Sequence, residues 1–304
     1  MPKLISINSL DMQRSYIGAA QLDPHSMSVR RVAVQPLPAS SPHGYWGTVT
    51  GKLKEMRKIF RFAKGNAVCS LPCDMAVVRA LEAYRGEVGQ REILRWELEA
   101  GLLGPIDEYV YDFYEVSSHG ETEFRKYLAA AIREETLDGL RKALKGIKMK
   151  PNIIDIDLFA ITRVFRQNYG DRLSGMSALV HGEPGCTKII IVKDSVYVDH
   201  GVFDFESGKR DAVEYAEALM EGVDRLVSKN SDIAQGDVGI FLTGSLFMRE
   251  QFAVAATSCI ENCELLDPFK NLAFAVGLDG ERLKTYAPQV AVAIGLALRG
   301  KEAE

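Results

Sequence analysis

No apolar run in this 304-residue sequence approaches the roughly 20 residues that a membrane-spanning helix requires. Residues 1–21 carry Asp11 and Arg14 where a secretory leader would be apolar, so the expected compartment is the cytoplasm. An excess of positive charge is also missing. The net charge of −4 gives no reason to expect a nucleic-acid partner. Cysteine is sparse and odd in number, which does not suggest a disulfide framework and fits a reducing compartment. Cys69 with Cys73, and Cys259 with Cys263, share a Cys-x-x-x-Cys spacing that in principle supplies four thiolates to zinc. The favoured reading is that they are small buried hydrophobes. The five histidines (His25, His43, His119, His181 and His200) show no metal spacing, and no Ser/His/Asp order stands out. No catalytic residue and no metal site are therefore assigned.

What is present is an ordinary globular composition, 47% apolar, 26% charged and 9% aromatic, long enough for one large or two intimately joined domains. The sequence "LISINSL" alternates apolar and polar residues and "SYIGAAQL" follows it, which predicts an N-terminal β-hairpin. Residues 35–51, rich in Pro, Ser and Gly, read as a loop. "KLKEMRKIFRFA" then reads as a basic amphipathic helix with Leu53, Met56, Ile59, Phe60 and Phe62 as its apolar positions. Its basic residues suit an ordinary solvated face on a helix packed against a sheet, although such helices also lie on anionic lipid. A strand, turn and strand follow in "AVCSLPCDMAVVRALEA", then a helix ending at Gly101 and an exposed strand in "DEYVYDFYEVSS". Two strand-plus-helix pairs run from Lys126 to Gly170. From Ser177 come a strand, turn and strand, a further strand after an Asp194-Ser195 turn, one long helix, the buried strand "VGIFLTGS" and a helix. "YAPQVAVAIGLALRG" closes the chain as a helix of small apolar residues suited to close packing. β-Hairpins followed by helices thus occur twice, with a βαββα-like insertion between them, an internal duplication of pattern.

In "LVHGEPGCTK", glycine and lysine outline a phosphate turn. The spacing Gly-x-x-Gly-x-x-Lys is not that of a Walker loop, and no helix follows. The order of several segments resembles the actin-like type IV pilus assembly proteins of the PilM type, related to the division protein FtsA. They are "EILRWELEAGLLGPIDEYVYDFYEV", "NIIDIDLFAITRVF", "IFLTGSLFMREQFA", "LLDPFKNLAF" and, most specifically, "YAPQVAVAIGLALRG". The likeness runs over roughly residues 67–300. It implies an α/β, actin-like fold, ribonuclease H-like and duplicated, with an inserted βαββα-type subdomain. Subdomain 1A would take residues 1–75 and 151–175, the inserted subdomain 1C residues 76–150, and subdomain 2A residues 176–280. Residues 281–304 would be a C-terminal helix returning to 1A. Only about 30 residues separate "VFDFESGKRDA" from "VGIFLTG", so the helical subdomain 2B that covers the nucleotide is expected to be reduced or absent.

ATP-binding members clamp phosphate with two Gly-rich hairpin turns, each carrying an Asp for Mg²⁺ or its waters. By that resemblance Asn8 and Ser9 stand in the first turn, with Asn8 in the place of the Asp. Gly182, Gly185, Thr187 and Lys188 stand in the second, and Gly244 and Ser245 in the adenosine-side turn. Asn8 carries no charge, His181 replaces the second Asp, Glu183 brings negative charge and Pro184 has no N–H to offer. A structural role is preferred for His181 over that of a general base, and His200 reads as a strand-end residue. The expectation is therefore a non-hydrolysing cytoplasmic scaffold without cofactor, peripheral at the inner membrane through a protein partner. The resemblance implies that it grips the N-terminal tail of a PilN-like bitopic membrane protein and meets other platform proteins of a pilus or type II secretion machine. Weak self-association is possible by analogy alone. Trp96, Tyr109, Tyr111 and Phe113 are the candidate partner-binding residues; the bland reading makes Trp96 a core aromatic and the tyrosines ordinary strand residues. The alternative function is an ATP-binding assembly protein with Mg·ATP and slow turnover.

Overall fold

The computed structural model describes residues 6–38, 44–63, 65–84, 90–116, 124–170, 175–205, 211–230 and 237–303. The chain opens on a meander of three strands, β1 (Ile7–Met12), β2 (Tyr16–Asp23) and β3 (Ser28–Pro36). Nearly every side chain of β1 and β2 is buried, so the sequence alternation does not divide core from solvent. Its polar members Asn8, Ser9 and Asp11 are instead buried and hydrogen-bonded.

Helix α1 (Gly44–Phe60) corrects one expectation, since β3 reaches Pro36 and the helix begins well before Lys52; residues 39–43 of the expected loop lie outside the described residues. The Thr48 and Thr50 hydroxyls donate to the carbonyls of Gly44 and Trp46 at 2.9 and 2.7 Å, Val49 is buried, and the Tyr45 hydroxyl donates to the Met12 carbonyl at 3.1 Å. Packing thereby overrides the weak helix propensity of a Gly- and Thr-rich stretch. Leu53, Met56 and Phe60 face the core, whereas Ile59 is 71% exposed. Strand β4 (Gly65–Leu71) then pairs in parallel with β1.

Two compact units divide the chain, Met1–Leu71 with Ala143–Glu304, and Pro72–Lys142. The smaller unit contains β5 (Ala76–Tyr84), α2 (Gln90–Glu99), β6 (Tyr109–Val116), β7 (Phe124–Arg133) and most of α3 (Glu134–Lys145). Its antiparallel sheet has the order β5-β7-β6. Leu94 and Leu98 of α2 close a core over Leu81, Tyr127 and Ala129.

The larger unit resumes with β8 (Met149–Ile156) and α4 (Asp157–Tyr169). A second meander follows, β9 (Met176–Glu183), β10 (Cys186–Lys193) and β11 (Val196–Phe203); the Asp194-Ser195 turn has both residues at positive φ, as a two-residue hairpin loop requires. Helix α5 (Ala212–Lys229) begins in a capping box between Asp211 and Glu214. Strand β12 (Gly239–Thr243), α6 (Glu250–Cys259), β13 (Cys263–Leu265), β14 (Ala273–Phe274), α7 (Gly280–Lys284) and α8 (Ala287–Glu302) complete it.

The duplication is explicit in the sheets. One has the order β14-β3-β2-β1-β4-β8, the other β11-β10-β9-β12-β13. Without β14, each is an antiparallel meander extended by two parallel strands in the same sequence of partners. Helix α4 packs against β8, β10, β11 and α8, while α8 packs against β1, β2, β4 and β12, so this pair joins the two sheets. A Cβ at Gly295 would lie 2.0 Å from the Ala160 carbonyl oxygen, which explains why the final helix is built of small residues. Between β11 and β12, α5 is the only helix among the described residues, and it packs on the second sheet with α6.

Candidate functional site

Three turns of the larger unit converge beside the start of α4. The first hairpin reverses at Gln13, Arg14 and Ser15, with the Gln13 amide donating to the Tyr16 carbonyl at 3.0 Å. The second reverses at Pro184 and Gly185, where Gly185 has φ +84°. The third follows β12 at Gly244 and Ser245.

The turns are tied to one another by buried side chains. Lys188 on β10 donates from Nζ to Asp157 Oδ2 at the start of α4, and to Gln13 Oε1 at 3.0 Å. Gln13 Nε2 donates to Asp11 Oδ1 at 2.8 Å and lies 3.3 Å from Asp157 Oδ2. Ser70 on β4 donates to the same Asp11 oxygen at 2.8 Å. Beside this chain, Glu183 at the end of β9 accepts from Ser15 Oγ through Oε2 and from the Ser245 amide through Oε1 at 3.1 Å. The hydroxyls of Ser15 and Ser245 lie 3.2 Å apart. Asp11, Gln13, Asp157, Glu183 and Lys188 are all buried.

Burial and the nearby Asp157 charge push the Asp11 carboxyl up to about 7, against the opposing bonds from Gln13 and Ser70. Burial also raises Glu183. His181, neighbour of Lys188 across the hairpin, is held well below its ordinary value by burial and by the lysine charge, so its ring is neutral. Among the described residues, neither ring nitrogen of His181 has a hydrogen-bond partner, and Asp11 Oδ2 and the Tyr16 hydroxyl make no well-formed bond, although the Asp11 carboxyl acts on that hydroxyl.

The structure redistributes the residues singled out in the sequence. Lys188, Ser245 and Gly185 belong to the converging turns. Asn8 does not, because the hairpin reverses five residues later and Asp11 takes the strand-end place expected for a carboxylate. Asn8 accepts from the Ala63 amide and Gln21 Nε2 and donates to the carbonyls of Ala63 and Asn66, using its full capacity to hold the segment after α1. Ser9 donates to the Ala20 carbonyl within the sheet. Thr187 points away from the turns and meets the Tyr215 hydroxyl of α5 at 2.8 Å. Gly244 is required by close backbone approach, since a Cβ there, where φ is +101°, would lie 2.3 Å from the Gly182 carbonyl oxygen, whereas a Cβ at Gly182 would lie 2.8 Å from the Phe247 ring. Gln13, Ser15 and Asp157 escaped the sequence reading. The only signal was an Asp opening a helix directly after a strand in "DIDLF".

In the smaller unit, Tyr109, Tyr111 and Phe113 share the β6 face that packs with α2. Tyr109 donates to the Leu103 carbonyl at 3.1 Å and carries the Arg133 guanidinium over its ring. Trp96 sits apart from them at 65% exposure, so the core reading of this residue is wrong. His43 and His119 lie outside the described residues.

No family model and no curated protein matches the sequence. Among solved structures, a chain of the PilM–PilN type IV pilus biogenesis complex superposes with a TM-score of 0.80 at 19% identity, over 98% of this chain and 99% of that one. The fold is actin-like. A Bacteroides thetaiotaomicron protein described as having an actin-like ATPase fold and unknown function is similar at TM-score 0.52 and 12% identity, over 92% of this chain and 95% of that one. The cytoplasmic domain of EpsL, an inner-membrane component of the Vibrio cholerae type II secretion system, is similar at TM-score 0.52 and 10% identity, covering 99% and 96%.

Actin-like ATPases imply Mg·ATP between the converging turns, and the residues here do not fit it as placed. A carboxylate at Asp11 suits such a site, but Glu183 ties the first turn to the third through Ser15 and Ser245, and Lys188, the lysine among these side chains, is already paired with Asp157. Among the described residues, no group of three or more His, Cys, Asp and Glu side chains is arranged to hold a metal ion.

Proposed function

We propose that this chain is a PilM-like scaffold that works by binding rather than by ATP turnover. It would hold the cytosolic N-terminal tail of a PilN-like bitopic membrane protein in a type IV pilus or type II secretion platform. The observation that carries the non-hydrolysing part is the closure of the turns on one another through Lys188–Asp157 and Ser15–Glu183–Ser245. The pilus part is supported by likeness to a chain of the PilM–PilN complex along almost the whole sequence. Among the described residues no helix is long and apolar enough to cross a membrane, and on this reading a partner holds the chain at the inner membrane. Trp96 is the candidate anchor for the tail, being a large exposed aromatic on α2. Tyr109, Tyr111 and Phe113 would support that surface from the core beneath it.

Two titrations test the proposal. Calorimetry with Mg·ATP is expected to show no binding at micromolar affinity. A synthetic peptide matching the N-terminal tail of a PilN-like protein encoded nearby is expected to bind, and Trp96→Ala to weaken it at least ten-fold. Micromolar nucleotide binding would replace the scaffold with the ATP-binding assembly protein. That second reading draws on the ring nitrogens of His181, without a partner among the described residues, which an opened site would satisfy.

A further inference from the structure

One surface of the larger unit carries a run of basic side chains with almost no acidic ones among them. From Pro24 to Cys73 the only acidic side chain is Glu55, although acidic residues outnumber basic ones in the whole sequence, 41 to 37. Glu55 is already engaged by Lys52 at 2.8 Å. On α1, Lys54, Arg57 and Lys58 are exposed, and Arg61 continues the row just beyond the helix. The turn leading from α3 into β8 lies beside this face, because a Cβ at Gly146 would sit 3.5 Å from Cε of Lys54. That turn adds the exposed Lys145, Lys148 and Lys150, in a stretch from Arg141 to Ile154 that contains no acid. None of these seven cations pairs with a carboxylate among the described residues.

An ordinary solvated face interleaves both signs of charge. Here one sign extends from a helix across the neighbouring turn, and Ile59 stands 71% exposed directly after Lys58. An apolar side chain next to a cationic row suits a bilayer surface, where headgroup phosphates meet the cations and the side chain enters the acyl boundary. It offers nothing to a nucleic-acid backbone. We propose that this α1 face is a docking surface for anionic phospholipid, a direct membrane contact independent of any partner's tail.

Each cation near an anionic leaflet strengthens partitioning by about five-fold, so neutralising three weakens it by about two orders of magnitude. The test is sedimentation of the full chain with phosphatidylcholine vesicles, with and without phosphatidylglycerol, at low and high salt. Binding is expected only to the anionic vesicles, released by salt and lost in Lys54→Gln/Arg57→Gln/Lys58→Gln. Lys126→Gln/Lys270→Gln/Lys301→Gln removes equal charge elsewhere and is expected to bind as the parent does. All six positions are exposed, and thermal melting checks that both variants fold. No binding to anionic vesicles at low salt, binding kept by the α1 variant, loss in both variants, or tighter binding to a random-sequence duplex than to vesicles would each overturn the proposal.

Discussion

Asp11 is the residue with the clearest measurable consequence. Its folded pKa of about 7 lies above the ordinary carboxylate value, so between roughly pH 4 and 7 the folded chain keeps a proton that the unfolded chain has released. Stability therefore falls as pH rises through that window, and the full cost is present above it. Asp11→Asn keeps an acceptor for Gln13 and Ser70 and sets an uncharged amide beside the Tyr16 hydroxyl, which can accept from it. Relative to the parent it should gain nothing near pH 3.5 and up to roughly 4 kcal/mol above pH 7, read by urea unfolding across pH. Equal gains at both ends would show that Asp11 is not titrating. At this scale the sequence was only half legible. Gly185 announced the second turn because a positive φ favours glycine, but nothing at Gln13, Arg14 and Ser15 marks the first. The local pattern therefore points to Asn8 as the turn residue, five residues short of the reversal.

Secondary elements were more legible than their ends. The hairpins, the insertion and the final helix follow from apolar periodicity and turn residues, while the start of α1 depended on tertiary contacts made by Tyr45 and Val49. Two helical glycines show how far local rules reach. Gly51 in α1 has open space around its missing Cβ, whereas Gly295 in α8 touches the α4 backbone. Gly51→Ala is expected to stabilise by about 0.5–1 kcal/mol, as removal of an exposed helical glycine does. Gly295→Ala is expected to destabilise by about 1–3 kcal/mol or more, because the helices must separate to admit a methyl group. Thermal melting of the two variants should move in opposite directions; the same direction in both would contradict the α4–α8 contact.

Across the whole molecule, the two topologically equivalent sheets are held together by α4, α8 and the buried ion pair of Lys188 with Asp157. Lys188→Met leaves the Asp157 carboxylate buried without its ammonium and should cost about 3–5 kcal/mol in urea unfolding. Hydrogen exchange should quicken together at the Gln13 and Ser245 amides, which lie on opposite halves yet share this junction. Faster exchange on one side only would mean that the pair does not couple them. The contacts of α8 carry a consequence for synthesis. Strands β1 and β2 leave the ribosome long before the helix that packs on them, since every other element named here lies between the two in the chain. That sheet must wait, incompletely covered, until α8 has been made, and its apolar surface is available to chaperones throughout that interval.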